Sequence, residues 1–146
     1  MIYLDNNATT PLLPEVIDAM LPFLTEHYGN PSAGYDFSQP VRDGLETAHR
    51  QVASLIGATA DEIIFTGCGT EANNSALASA LALQPERRKL IVGATEHSAI
   101  GKAAVALTGA ENVLTAPVHP DGRLDLDAFT AILDANKSEI ALVSTM

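Results

Sequence analysis

From Glu62 onward, short apolar runs rich in branched residues alternate with longer stretches of helical periodicity. Few folds bury both kinds of apolar surface. A strand, a crossover helix and a parallel strand do so by stacking helices on a sheet. Strands are expected at residues 62–66, 89–93, 112–116 and 139–144, with helices at 70–83, 98–107 and 126–135 between them. The fold class predicted is α/β, a mostly parallel sheet flanked by helices and joined by right-handed crossovers.

Ahead of this unit, Val41, Leu45, Ala48, Val52 and Leu55 recur at spacings of four, three, four and three, which puts them on one helix face that Gly57 ends. A shorter helix is expected over Pro14–Thr25, with Pro14 in its first turn, where an amide has no intrahelical partner. Between them, residues 28–38 hold Gly29, Pro31 and Gly34 and read as an ordered but irregular loop. The alanine-rich stretch 72–82 suits a helix that approaches a sheet closely. No internal repeat or low-complexity tract is present.

A formal charge of −10 repels phosphate backbones and anionic lipid, so neither nucleic acid nor membrane is an expected partner. Cys68 is the single cysteine, which precludes an internal disulfide and fits a reducing compartment. The first ten residues lack the basic and apolar regions of a secretory signal, and no apolar stretch reaches the ~20 residues that cross a bilayer. A cytoplasmic protein is expected.

The segment Ile63-Ile64-Phe65-Thr66-Gly67-Cys68-Gly69-Thr70-Glu71-Ala72 carries an apolar run into two glycines and then a helix. Glycines let the backbone approach a ligand, and the free amides and dipole of a helix start favour a phosphate. Thr70 adds a hydroxyl donor. The same residues fit the dinucleotide fingerprint, with Gly67, Gly69 and Ala72 in its small-residue positions and Glu96 as the later acid. Glu96 lies further on than the ~20 residues that fingerprint calls for, and both readings stand at this point. His97 follows the 89–93 run, at the carboxyl edge where open α/β sheets bind ligands. It reads either as a helix cap or as a titratable ring over a flat heterocycle. His27, His49 and His119 read as surface histidines, and their spacing suggests no metal cluster. Residues 120–123 form an expected turn, and Asp125 an expected N-cap.

The opening Tyr3-Leu4-Asp5-Asn6-Asn7-Ala8-Thr9-Thr10-Pro11 resembles the start of the cysteine desulfurases of the class V aminotransferase group. Gly29-Asn30-Pro31-Ser32, the 65–74 stretch Phe-Thr-Gly-Cys-Gly-Thr-Glu-Ala-Asn-Asn, and Thr95-Glu96-His97-Ser98-Ala99 follow in the family's order. So do Gly122-Arg123-Leu124-Asp125 and the terminal Leu142-Val143-Ser144-Thr145-Met146, so the resemblance covers the whole chain.

This resemblance implies part of a fold type I pyridoxal 5′-phosphate enzyme. Residues 1–13 would lie near the smaller domain or the active-site entrance, and residues 14–146 would form part of the large cofactor-binding domain. Gly69 and Thr70 would hold the cofactor phosphate, while His97 would stack on its ring and assist proton transfers. The reaction implied converts L-cysteine to L-alanine with sulfur carried as an enzyme persulfide. It implies a homodimer, a sulfur-acceptor or scaffold protein as partner, and a place in iron–sulfur cluster assembly. Tyr35 stands where the family usually has histidine, and Ser38 and Pro40 replace residues usually found as glycine and alanine. The family's cofactor lysine, its aspartate partner for the ring nitrogen, its sulfur-accepting cysteine and its substrate arginine have no counterpart among these 146 residues. Lys89, Lys102, Lys137 and Cys68 do not match those positions, so the chain alone is expected to be inactive. Another class V lyase or transaminase such as a selenocysteine lyase, a nicotinamide-dependent oxidoreductase, and a noncatalytic truncated binding module are the alternatives.

Overall fold

Leu90, Ile91 and Val92 form a run of branched side chains short enough to be a strand buried on both faces, and they are the centre of β1 (Lys89–Gly93). In the computed structural model, which describes residues 2–146, β1 lies between β2 (Val113–Ala116) and β3 (Ile140–Ser144), both parallel to it. Met1, the first residue of the expected N-terminal segment, lies outside the described residues. The described residues divide into two compact units, one up to Ile64 and one from Phe65.

In the second unit the alternation of the strand decides which helix goes where. Leu90 and Val92 face Leu77 of α3 (Gly69–Leu83) and Ile100 and Ala104 of α4 (Ser98–Thr108). Ile91 points the other way, toward Ala116, Ile140 and the Phe129, Ile132 and Leu133 side chains of α5 (Leu126–Asn136). The chain steps from β1 to β2 through α4, then back past β1 to β3 through α5. Reversed direction combined with reversed face leaves both crossovers with the same hand.

Local signals hold where they are local. Asp125 caps α5 by accepting the Ala128 amide at 3.0 Å. Asp121 accepts from the Arg123 guanidinium at 2.7 Å, which holds its carboxyl below the ordinary aspartate value, and the turn closes in a bridge between Val118 and Leu124. The expected strand at 62–66 is not formed. Residues 60–62 make a 3-10 turn, and Ile64 is 84% exposed. An apolar run has the composition of a strand, but only a neighbouring strand makes it one, and the sheet described here holds three others.

In the first unit, α1 (Pro14–Thr25) and α2 (Gln39–Ile56) match the predicted helices. Gly57 ends α2 in the left-handed conformation, at φ +70°, as a C′ glycine does. Gly44 lets the Phe23 ring come close, since a Cβ there would sit 2.7 Å from the ring. An apolar groove of about 980 Å³ runs between the two helices past Val16, Met20, Phe23, Val41 and Leu45. His49, expected at the surface, is half-buried, with Nδ1 3.2 Å from the Ala60 carbonyl. The residue 28–38 loop is ordered as predicted, by the Asn30 side chain accepting the Ser32 amide at 2.9 Å and by edge-on packing of Tyr28 and Phe37 at 5.0 Å. It closes in a 3-10 turn, Asp36–Ser38.

Ser38 is fully buried, and its hydroxyl has no hydrogen-bond partner among the described residues. A buried hydroxyl without a partner keeps its desolvation cost and recovers nothing. Ser38→Ala is therefore expected to stabilise the chain by about 1 kcal/mol. A higher urea midpoint at unchanged slope is the expected result, and a lower midpoint would show that the hydroxyl is satisfied.

Candidate cofactor site

The glycine turn starts with a polar side chain folding back on the backbone. Thr66 donates its hydroxyl to the Cys68 carbonyl at 3.0 Å, and the Gly67 amide donates to Glu71 Oε2 at 2.7 Å. Cys68 is the N-cap residue of α3, in extended conformation and without a side-chain cap bond. The Ala72 amide donates to the Cys68 carbonyl at 3.1 Å, so the amides of Gly69, Thr70 and Glu71 belong to the first turn, ahead of the intrahelical ladder. Around Gly69 there is open space: an added Cβ would meet nothing within 4 Å. Gly69, Thr70 and Cys68 are all exposed. This is a helix start with free donors, an adjacent hydroxyl and room for a tetrahedral anion.

His97 lies at the start of the next helix. Its Nδ1 accepts the Ala99 amide at 3.2 Å, which makes it the N-cap of α4. The two readings of this residue are compatible, because a ring that caps through Nδ1 leaves Nε2 free. With Nδ1 used as acceptor, the neutral ring carries its proton on Nε2, a tautomer assigned from the hydrogen bond. The ring is exposed.

The two helix starts share a face and an edge. α3 and α4 cover the same side of β1, through Leu77, Ile100 and Ala104. α3 reaches the amino end of β1 through a five-residue connection, from Gln84 to Arg88, and Gln84 there donates to the Ala141 carbonyl at 3.0 Å. Its 15 residues span about 22 Å against about 16 Å for the strand, so its first turn reaches toward the carboxyl edge, where α4 begins. The packing of α3 and α4 therefore puts Gly69, Thr70 and His97 on one side of the sheet. Glu96, the acid of the dinucleotide alternative, is committed instead to the Ser144 hydroxyl at 2.7 Å and the His97 amide at 3.3 Å. Among the described residues, no three His, Cys, Asp or Glu side chains come together as metal ligands would.

The profile of the aminotransferase class-V family matches residues 2–146. The chain belongs to this family. A cysteine desulfurase of Rhodobacter capsulatus is 49% identical over 99% of the chain, which covers 38% of that relative. The solved structure of a NifS-like protein superposes with a TM-score of 0.84 at 30% identity, over 97% of this chain and 39% of that one. The structure of SspA in complex with cysteine superposes with a TM-score of 0.63 at 26% identity, over 77% of this chain and 33% of that one. The chain thus spans little more than a third of the length of the curated relative it matches. Class V aminotransferases and cysteine desulfurases depend on pyridoxal 5′-phosphate, and the open, donor-rich start of α3 suits the phosphate of that group. No described helix is long and apolar enough to cross a membrane.

Proposed function

We propose that this chain is the phosphate-binding and ring-binding part of a cytoplasmic cysteine desulfurase that takes sulfur from L-cysteine, leaves L-alanine, works as a homodimer and passes the sulfur to an acceptor for iron–sulfur cluster assembly. The observation that carries the reading is the pair of helix starts on one face of β1, one rich in free amides and the other capped by an imidazole. The substrate reading is supported by relatives named cysteine desulfurase and by the neighbour solved with cysteine.

The amides of Gly69 and Thr70 and the Thr70 hydroxyl would hold the phosphate, where the dipole of a 15-residue helix favours an anion. Glu71 keeps the turn in shape by holding the Gly67 amide. His97 would present its Nε2 side to the ring, with Nδ1 fixed by the cap so that the ring cannot turn over without breaking a hydrogen bond. That arrangement orients a proton donor and limits its motion, as a general acid–base group requires. When bound, the cofactor supplies an electron sink for the bond that breaks in the substrate.

Binding of pyridoxal 5′-phosphate and of unphosphorylated pyridoxal, compared by absorbance titration, tests the reading. The phosphorylated form is expected to bind far more tightly, and Thr70→Val to weaken it about tenfold, as loss of one hydrogen bond to a charged group does. The pyridoxal affinity should not move. Equal binding of the two forms, or no effect of Thr70→Val, would remove the phosphate seat from α3.

A further inference from the structure

Glu96 ties together elements that the cofactor reading leaves unconnected. Its Oε1 accepts the Ser144 hydroxyl at 2.7 Å across 48 residues of sequence, and Oε2 accepts the His97 backbone amide at 3.3 Å. Its own amide donates to the Gly93 carbonyl at 3.1 Å. Ser144 is the last residue of β3 and pairs with Val92 of β1, so the bond spans the carboxyl ends of two strands and the start of α4. Glu96 is half-buried there, packed against Gly93.

A hydroxyl bound to a carboxylate at this distance is a charge-assisted bond, stronger than a neutral one. The other ties of the 94–97 turn to the sheet are backbone bonds, from the Ala94 amide to the Ala116 carbonyl and from the Glu96 amide to Gly93. His97 is also held to α4, by the Ala99 amide on its Nδ1 and the Ile100 amide on its carbonyl, but none of these bonds ties His97 to the sheet. The Glu96 carboxylate does, because it holds the His97 amide on one oxygen while β3 anchors the other. We propose that Glu96 is a positioning residue for the His97 imidazole, with the Ser144 hydroxyl as its anchor. The consequence for a cofactor rests on the reading of His97 given above. The positioning itself does not. Removing the carboxylate leaves Leu90, Ile91 and Val92 packed as before, so the core stays and the aim of the ring is lost.

The test uses the 146-residue chain with 15N in the histidine rings, His97 being assigned among the four histidines by its loss in His97→Asn. In the parent chain the two His97 ring nitrogens are expected well separated, as in a fixed Nε2–H tautomer. In Glu96→Ala they should draw together as tautomers mix, and affinity for pyridoxal 5′-phosphate should fall about tenfold. Ser144→Ala should do the same, Ser144→Thr should restore the parent spectrum, and the double variant should be no worse than either single one, as for groups acting through one contact. Unchanged His97 nitrogens in both single variants overturn the proposal, as does a double variant whose effect is the sum of the two. If Glu96→Ala does not fold, Ser144→Ala and Ser144→Thr decide. If the parent chain does not bind the cofactor, the cofactor reading fails, while the ring spectra still decide the positioning role.

Discussion

Mixed with pyridoxal 5′-phosphate and L-cysteine, the 146-residue chain is expected to form no alanine. Desulfuration needs an amine placed at the cofactor and a thiol placed at the substrate sulfur. Lys89 opens β1 at the amino end of the sheet, and its ammonium is bound to Glu139 at 2.9 Å and to Asn136 at 2.8 Å. Lys137 follows the last turn of α5, also at the amino end of its strand. Lys102 lies on α4 two residues from both Ile100 and Ala104, which face the core, so it points to solvent. None of the three is at the edge where α3 and α4 begin. Cys68 is exposed at the start of α3, in the turn proposed to take the phosphate rather than the substrate. Alanine is to be measured in the mixture by chromatography after derivatisation, against the same mixture without protein. Formation of alanine above that background would mean that one of these lysines and Cys68 can reach the chemistry.

Leu77→Ala is expected to destabilise the second unit by about 2–5 kcal/mol, and to weaken cofactor binding with it. Leu77 is 1% exposed and carries α3 onto the face of β1 formed by Leu90 and Val92. Truncation removes its transfer free energy and leaves a cavity that rigid strand neighbours cannot fill. The loss is large beside the ~5–15 kcal/mol that holds a typical domain folded. Because the free amides of Gly69 and Thr70 belong to the same helix, a loosened α3 also loosens the proposed phosphate seat. Leu83→Ala is the control, since Leu83 ends α3 at 82% exposure and should change stability by less than about 0.5 kcal/mol. Urea unfolding of the two variants checks this. Similar midpoints for both would show that α3 does not depend on its packed face.

Much of the second unit could be read from residue order alone. β1 falls on the predicted residues 89–93, and the Asp125 cap and the turn at 120–123 are present. The cap and the turn depend on neighbours within a few residues, and β1 shows in its own run of branched residues. The run at 62–66 did not become a strand, because pairing is decided by what lies beside a segment and not by its own composition. Residue order predicts a surface role for His49, since nothing near it in sequence announces the Ala60 carbonyl eleven residues on. Residue order offers Glu96 as a ribose acid or as one member of a family motif, but not its bond to Ser144, because that partner lies 48 residues away.

By itself the sequence determined the α/β class, the order of the five helices and of three of the four expected strands, the Asp125 cap and the family, because periodicity, turn chemistry and ordered motifs are all written in neighbouring residues. Only the tertiary structure decided the strand order β2-β1-β3, the sharing of one face by α3 and α4, and the anchoring of Glu96 by Ser144. The reason is that a hydrogen bond between distant residues exists only once the strands that carry them are paired, and no local pattern specifies which strands those are.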